Sequence, residues 1–411
     1  MKTCYVFIYL PGEHRAVPAG LFSYDPDGRQ GLFRYGRGYL ARAHALPVDP
    51  VALPLGREPR PVTTNDGLYG AFRDASPDYW GRLVIASDLK TEASALDEMD
   101  YLMLTNASRV GNLDFRASLD SPEPDYRPPT FQRLDEVVEA ALRLQQNLPV
   151  PHAQEQLLLQ GTSLGGARPK CTVEWDGQLW IAKLPAQGDT FDHARVEFAT
   201  MTLARQCGIG IADVRLQDLG GRDLLMVRRF DRTPVEGGYA RTGFLSALSF
   251  MEWDPGDRLA FSYVSIAARM RELGLGASRA PQELFRRMAF NVFCRNTDDH
   301  PRNHGFLLGE GTLALSPAYD MVPAATHPGV GSEFSLSMEI GAEGRNASLE
   351  NLMSRHAQFG LRRDEAEQLL QEMAATVARW EPNFLGCGVA AADVEKFRSS
   401  FRLPGAPFCL S

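Results

Sequence analysis

Residues 121–129 read Ser121-Pro122-Glu123-Pro124-Asp125-Tyr126-Arg127-Pro128-Pro129, and this run divides the chain. Proline fixes φ and removes an amide donor, so neither a helix nor a central strand can pass through it. The chain on each side must therefore complete its own secondary structure. Before the run, residues 5–10 are aromatic and β-branched and residues 20–24 are apolar and aromatic, which predicts strands, with 32–35 as the returning strand. Asp25-Pro26-Asp27-Gly28 joins the second to the third; Pro26 presets φ, and Gly28 is expected to take the positive φ of the turn. After the run the period changes. Leu134, Val137, Val138, Ala141 and Leu144 recur near 3.6 residues, which predicts a helix over 131–148. A hairpin is expected from strands 171–174 and 179–184 around Asp176-Gly177, then a helix over 194–206 stopped by Gly208 and a strand over 224–227. The remainder is mostly helical, with amphipathic segments over 281–294 and 363–380. The pattern is α+β, and 411 residues exceed what one hydrophobic core comfortably holds.

Charge and cysteine content exclude several classes. A net charge of −8 and a pI near 5.6 provide no surface for coating nucleic acid, so DNA is expected to be reached only through a partner. Cys4, Cys171, Cys207, Cys294, Cys387 and Cys409 include no C-x-x-C pair, which suggests free thiols in a reducing cytosol. The apolar run after Lys2 is short and meets Pro11-Gly12-Glu13, so it reads as a first strand and not as a secretory leader. No stretch approaches bilayer-spanning length, and a cytoplasmic protein without membrane contact is expected.

Five elements carry chemistry, and their order is informative. The first is Gly161-Thr162-Ser163-Leu164-Gly165-Gly166-Ala167-Arg168-Pro169-Lys170, whose small residues let backbone N–H groups approach phosphate oxygens. The second is Lys183 at the end of an apolar strand, a point charge for phosphates; the third is Glu197 in the following helix, an ion-pair candidate for that lysine. The fourth is Asn296-Thr297-Asp298-Asp299-His300-Pro301-Arg302-Asn303, which contains D-x-x-x-x-N as Asp298 and Asn303. The fifth is Asp320, closing Ser316-Pro317-Ala318-Tyr319-Asp320, where a kinase places its second metal carboxylate. Two rival readings share these residues. Gly161-Thr162-Ser163-Leu164-Gly165 matches a G-x-S-x-G nucleophile elbow, but that motif needs a strand before it and a helix after it, and Gly165, Gly166 and Pro169 oppose the helix. His300 and His304 stand four apart as in some zinc sites, but Pro301 opposes a helix there.

Taken together these residues resemble the HipA family of bacterial toxin kinases. Residues 163–170 resemble its S-x-x-G-A-x-x-K loop and residues 297–303 its T-D-x-H-x-x-N catalytic loop. Arg229-Phe230-Asp231-Arg232 is similar to its R-F-D-R segment between lobes, and residues 317–320 to its P-x-Y-D strand end. Tyr24-Asp25-Pro26-Asp27-Gly28 and Pro77-Asp78-Tyr79-Trp80-Gly81-Arg82 resemble its N-terminal subdomain. The resemblance implies a small β-rich N-terminal subdomain over 1–120 and a two-lobed protein-kinase-like domain. The N-lobe with the Gly-rich loop would cover 121–235, and a mostly helical C-lobe with the catalytic loop 236–411. It implies phosphorylation of a protein Ser or Thr with ATP and Mg²⁺, a translation-related protein being one substrate class. It also implies inhibition by a helix-turn-helix antitoxin and autophosphorylation of Ser163. Carried onto this chain, Asp298 is the catalytic carboxylate, and Asn303 and Asp320 hold metal. Gly165, Gly166, Ala167, Lys170, Lys183, Arg229, Phe230, His300 and Asn303 bind nucleotide.

Three positions depart from the family pattern. Arg228 stands where some members carry an acidic hinge residue, residues 242–247 replace a His-Gln segment, and Asp299 follows the catalytic Asp. Two other functions use the same residues: a non-catalytic kinase-fold partner of an antitoxin, and a small-molecule kinase.

Overall fold

The computed structural model of the chain describes residues 1–124, 126–161, 166, 168–275, 279–325 and 333–401. They form two compact units. One comprises Met1–Gly188, Met226–Asp254 and Phe306–Leu313; the other comprises Asp189–Leu225, Pro255–Gly305 and Ala314–Ser411.

The first unit opens with an antiparallel sheet. Lys2–Tyr9 pairs with Ala16–Asp25 on one side and Leu113–Arg116 on the other; Gln30–Tyr35 and Arg60–Val62 extend it beyond Ala16–Asp25. The Gln30–Tyr35 strand alternates fully, with Gly31, Phe33 and Tyr35 buried and Gln30, Leu32 and Arg34 exposed, so one face meets the core. That core is aromatic: Phe72 packs edge-on against Phe22, Phe33, Tyr69 and Phe115, with ring centroids 5.1–5.9 Å apart. The hairpin turn departs from expectation. The positive φ falls on Arg29, at 48°, and not on Gly28. A Cβ on Gly28 would lie 2.7 Å from the end of the Asp25 side chain, which would have to turn aside. An ion pair from Arg29 to Asp66 at 2.9 Å accompanies the strained residue.

Beyond the proline run, Leu134–Gln145 buries Leu134, Val137, Val138, Ala140, Ala141 and Leu144, the expected stripe. The segment before the Gly-rich loop is a helix, His152–Gly161, and not a strand. The nucleophile-elbow reading thus lacks its required strand. Lys170–Trp175 and Gln178–Lys183 form the expected hairpin, with Asp176 and Gly177 at φ 51° and 66° as a type I′ turn demands.

A buried charge cluster fastens this unit. Arg229, Asp231 and Arg232 are only 3–5% exposed. The Arg229 guanidinium donates to both Asp231 carboxylate oxygens at 2.9 and 2.7 Å, and Arg232 Nη1 donates to Oδ2 at 2.7 Å. Both arginines also reach back across more than a hundred residues. Arg229 donates to the carbonyls of Ser108 and Arg109, and Arg232 to those of Arg109 and Gly111. Asp231 in turn accepts the Gly111 amide at 2.9 Å. Burial by itself pushes the Asp231 carboxyl up, but the two guanidiniums outweigh it and hold the group well below the usual carboxylate range. Arg232 is depressed by burial first and then by the like charge of Arg229.

The second unit is largely helical. His193–Gln206, Tyr263–Glu272, Ala280–Phe293 and Arg363–Val377 are its longer helices, and Ala280–Phe293 is the most buried of them. Pro281 sits in the first turn of that helix, where its missing N–H costs nothing. Among the described residues, no helix is long and apolar enough to cross a membrane.

Two outcomes are expected. Phe72→Ala should cost the folded state ~3–5 kcal/mol, read from urea unfolding, because it empties the centre of an aromatic cluster. Asp231→Asn should cost ~3–5 kcal/mol at neutral pH, because it leaves two guanidiniums buried without their counter-charge. The folded Asp231 value lies below the unfolded one, so its contribution is whole above about pH 4 and drains as pH falls through the depressed folded value. The stability gap between wild type and Asp231→Asn should therefore be wider at pH 7 than at pH 3; equal gaps would show that the charge contributes nothing.

Candidate active site

The loop that carries Asp298 begins at a helix end. Ala280–Phe293 closes with Arg295 in the left-handed region at φ 52°, and the Asn296 amide folds back onto the Asn291 carbonyl at 2.9 Å. This is a Schellman-type stop with an arginine where glycine is usual. It ends the helix at Asn296, which stays buried at 2% exposure and is bonded through its side chain to Asn291 at 3.1 Å.

The two neighbouring aspartates then separate. Asp299 is 3% exposed; its carboxylate accepts from His304 Nε2 at 2.9 Å and from the Tyr263 hydroxyl. Asn291 Nδ2 donates to that same hydroxyl at 3.1 Å, and Ser337 Oγ donates to the Asp299 carbonyl. Asp298 is exposed. Asp299 is thus a structural anchor, and the acid the loop presents outward is Asp298. Asn303 is 7% exposed and its Nδ2 donates to the Asp298 carbonyl at 3.3 Å. That bond uses the amide's donor end and leaves Oδ1 as an oxygen ligand. His300 is half-buried, accepts the Asn303 amide on its carbonyl at 2.8 Å, and has no partner at Nδ1.

Asp320 comes to the same loop through the chain that precedes it. The Tyr319 hydroxyl donates to the Arg302 carbonyl at 2.8 Å, and the Ser316 amide to the Gly305 carbonyl at 2.8 Å. These bonds bracket Asn303 and tie it to the segment that ends in Asp320. Asp320 is half-buried at φ 61°, a strained conformation for a non-glycine residue and one that is concentrated at functional sites. Glu197, on the helix His193–Gln206, is 4% exposed and not a solvated surface residue.

In the first unit, Lys183 ends the Gln178–Lys183 strand and stands directly opposite Lys170 in the hairpin register. Lys170 Nζ lies against Gly166, 2.4 Å from where a Cβ on that residue would stand. Arg229 has protein acceptors at every guanidinium nitrogen, so its side chain serves the buried cluster. Phe230 is half-buried with its ring 6.4 Å from that of Phe244, and Arg228 is exposed. Ser163, Gly165 and Ala167 lie outside the described residues. Sequence reasoning missed three groups: the Asp231 cluster, the Tyr263–Asp299–His304 anchor and Asp78, whose carboxylate accepts the Gly166 amide at 2.9 Å. The only local signal was Asp78 following Pro77 ahead of a helix.

The HipA-like C-terminal domain model matches residues 162–380, and the HipA N-terminal domain model matches residues 14–116. The putative kinase Y4mE of Sinorhizobium fredii is 25% identical over 420 residues, covering 93% of this chain and 94% of that protein. The putative kinase Y4dM of the same organism is 30% identical over 194 residues, and the chain spans only 44% of its length in that match. The serine/threonine-protein kinase toxin HipA of Shewanella oneidensis is 24% identical over 188 residues, or 42% of its length. The Shewanella HipA chain solved in complex with HipB and operator DNA superposes with a TM-score of 0.67 at 16% identity, covering 96% of this chain and 95% of that one. With both domain models matched and the α+β, kinase-like fold shared along nearly its whole length, the chain belongs to the HipA-like family.

Proposed function

We propose that the protein is an ATP- and Mg²⁺-dependent protein serine/threonine kinase of the HipA toxin type. The observation that carries this reading is the division of labour in the 298–303 loop: Asp299 is buried and anchored, Asp298 is exposed, and Asn303 is turned so that its amide oxygen is left to coordinate. A hard cation suits the donors. An amide oxygen from Asn303 and a carboxylate from Asp320 form a small oxygen set of the kind Mg²⁺ shares with water and nucleotide phosphates. Bound there, Mg²⁺ would neutralise charge on the transferring phosphoryl group. Asp298 would accept and orient the proton of the substrate hydroxyl. Lys183 and Lys170, side by side on their hairpin, would take the ATP phosphates, with Gly165, Gly166 and Ala167 supplying backbone N–H groups and His300 supporting the nucleotide. Glu197 is the buried helix carboxylate of the set. Arg229 is read as structural, because its side chain is spent on Asp231 and the 108–109 carbonyls.

The partner reading follows the family. A helix-turn-helix antitoxin would hold this chain, and DNA would be met through that antitoxin, since the chain's net charge is −8. The substrate would be a cytoplasmic protein.

Two experiments test the reading. Asp298→Asn should fold normally and lower phosphoryl transfer by ~10²–10⁴-fold, whereas Asp299→Asn should lower the melting temperature by loosening the loop's anchor. Full transfer by folded Asp298→Asn would reject the catalytic assignment. Ser163 is expected to be phosphorylated by the enzyme itself, and a phosphate of about −1.5 to −2 charge at the Gly-rich loop would expel those of ATP. Mass spectrometry should find phospho-Ser163 in the wild type and none in Asp298→Asn, and the phosphorylated protein should bind ATP much more weakly by calorimetry; equal affinities would remove the switch.

A further inference from the structure

The helix Tyr79–Asp88 has an aspartate in its N-cap position that does not cap it. Asp78 has the extended backbone of an N-cap, at φ −83° and ψ −169°, yet its side chain makes no capping bond. Aspartate is among the best capping residues, so leaving the cap unused forgoes stability that the helix could have had. The carboxylate is engaged elsewhere: Oδ2 accepts the backbone N–H of Gly166 at 2.9 Å, across 88 residues of chain. Gly166 has φ +106°, which a side-chain-bearing residue rarely adopts, and Lys170 Nζ occupies the space where its Cβ would be.

The same helix holds the chain on both sides of this point. Trp80, 1% exposed, donates its indole N–H to the Lys170 carbonyl at 3.1 Å. At the other end of the helix, Ser87 Oγ donates to Glu155 at 3.2 Å and Asp88 accepts from Gln156 at 3.2 Å, both on the helix His152–Gly161 that leads into the Gly-rich segment. The helix therefore grips the segment's lead-in through Ser87 and Asp88, and its exit through Asp78 and Trp80.

We infer that Asp78 is a positioning residue for nucleotide binding. Its carboxylate fixes the Gly166 amide, and Trp80 fixes the Lys170 carbonyl, so that Lys170 is presented beside Lys183 with its position set before any phosphate arrives. The functional consequence rests on the ATP reading above; the latch itself does not. Pre-ordering a phosphate-binding group improves binding by removing the ordering cost, so loss of the latch acts on affinity more than on turnover.

The test uses the full chain and two readouts. Hydrogen–deuterium exchange of a peptide containing Gly166 reports the latch without any nucleotide. Steady-state kinetics with Mg·ATP report its use. Asp78→Ala is expected to speed exchange at Gly166 about tenfold and to raise the KM for ATP about tenfold, as loss of one hydrogen bond to a charged group would, with kcat and melting temperature little changed. Asp78→Asn, whose amide oxygen can still accept the Gly166 N–H, should recover most of both, which general damage to the fold would not. Trp80→Phe keeps an aromatic side chain, though a smaller one, and removes the donor, and should give a smaller rise in KM. Unchanged exchange at Gly166 in Asp78→Ala would overturn the latch, and faster exchange with an unchanged KM would overturn its positioning role. If the wild type bound no ATP, the kinase reading would fall while the exchange measurement still decided the latch.

Discussion

The Asp231 carboxylate between the guanidiniums of Arg229 and Arg232 is the interaction on which the first unit depends. Three charges with almost no solvent access are costly to bury, and the arrangement is stable only because each polar atom of the carboxylate is met by a donor. The arginines spend their remaining N–H groups on carbonyls of residues 108–111, a turn that leads directly into the sheet strand Leu113–Arg116. One carboxylate thus joins a segment after residue 228 to the aromatic sheet formed before residue 117. Hydrogen bonds to main-chain carbonyls serve this purpose well, since they are indifferent to the side chains of the loop they hold.

A similar economy governs the 296–303 loop. A buried carboxyl group is tolerated where donors meet it, and Asp299 is bound by Tyr263 and His304 at its side chain and by Ser337 at its carbonyl. The anchor lies one residue from Asp298, so it sets where that side chain stands while leaving it exposed. The Tyr319–Arg302 bond then brings the strained Asp320 to the same loop. Neither contact involves Asp298 or Asp320 directly. In the HipA-like family the motif letters T-D-x-H-x-x-N describe the residues presented; the bonds from Tyr263, Ser337 and Tyr319 describe what presents them.

Much was legible locally. The 3.6-residue stripe from Leu134 to Leu144, the Asp176-Gly177 hairpin and the buried helix after Pro281 are all as their periodicity and turn chemistry require. The turn after Asp25 was legible, but the positive φ expected at Gly28 falls one residue later, on Arg29, because local turn chemistry does not say which residue of the loop closes it. The segment 152–161 is a helix, so the strand that a nucleophile elbow requires before its serine is absent there. Arg229 illustrates a different limit. Its place in an R-F-D-R motif marked it as important, but a motif does not say whether an arginine faces a ligand or the interior.

By itself the sequence determined the α+β organisation, the order of the chemical groups along the chain and the family, because each of these is written in local periodicity or in motifs a few residues long. Only the tertiary structure decided which of two adjacent aspartates is exposed, that the Arg229 guanidinium is bonded to Asp231 in the interior, and that Asp78 serves the Gly166 amide and not its own helix. The physical reason is sequence separation. Asp299 finds Tyr263 across 36 residues, Asp78 finds Gly166 across 88 and Asp231 finds Gly111 across 120, and no local pattern encodes a hydrogen bond whose donor is supplied by another part of the fold.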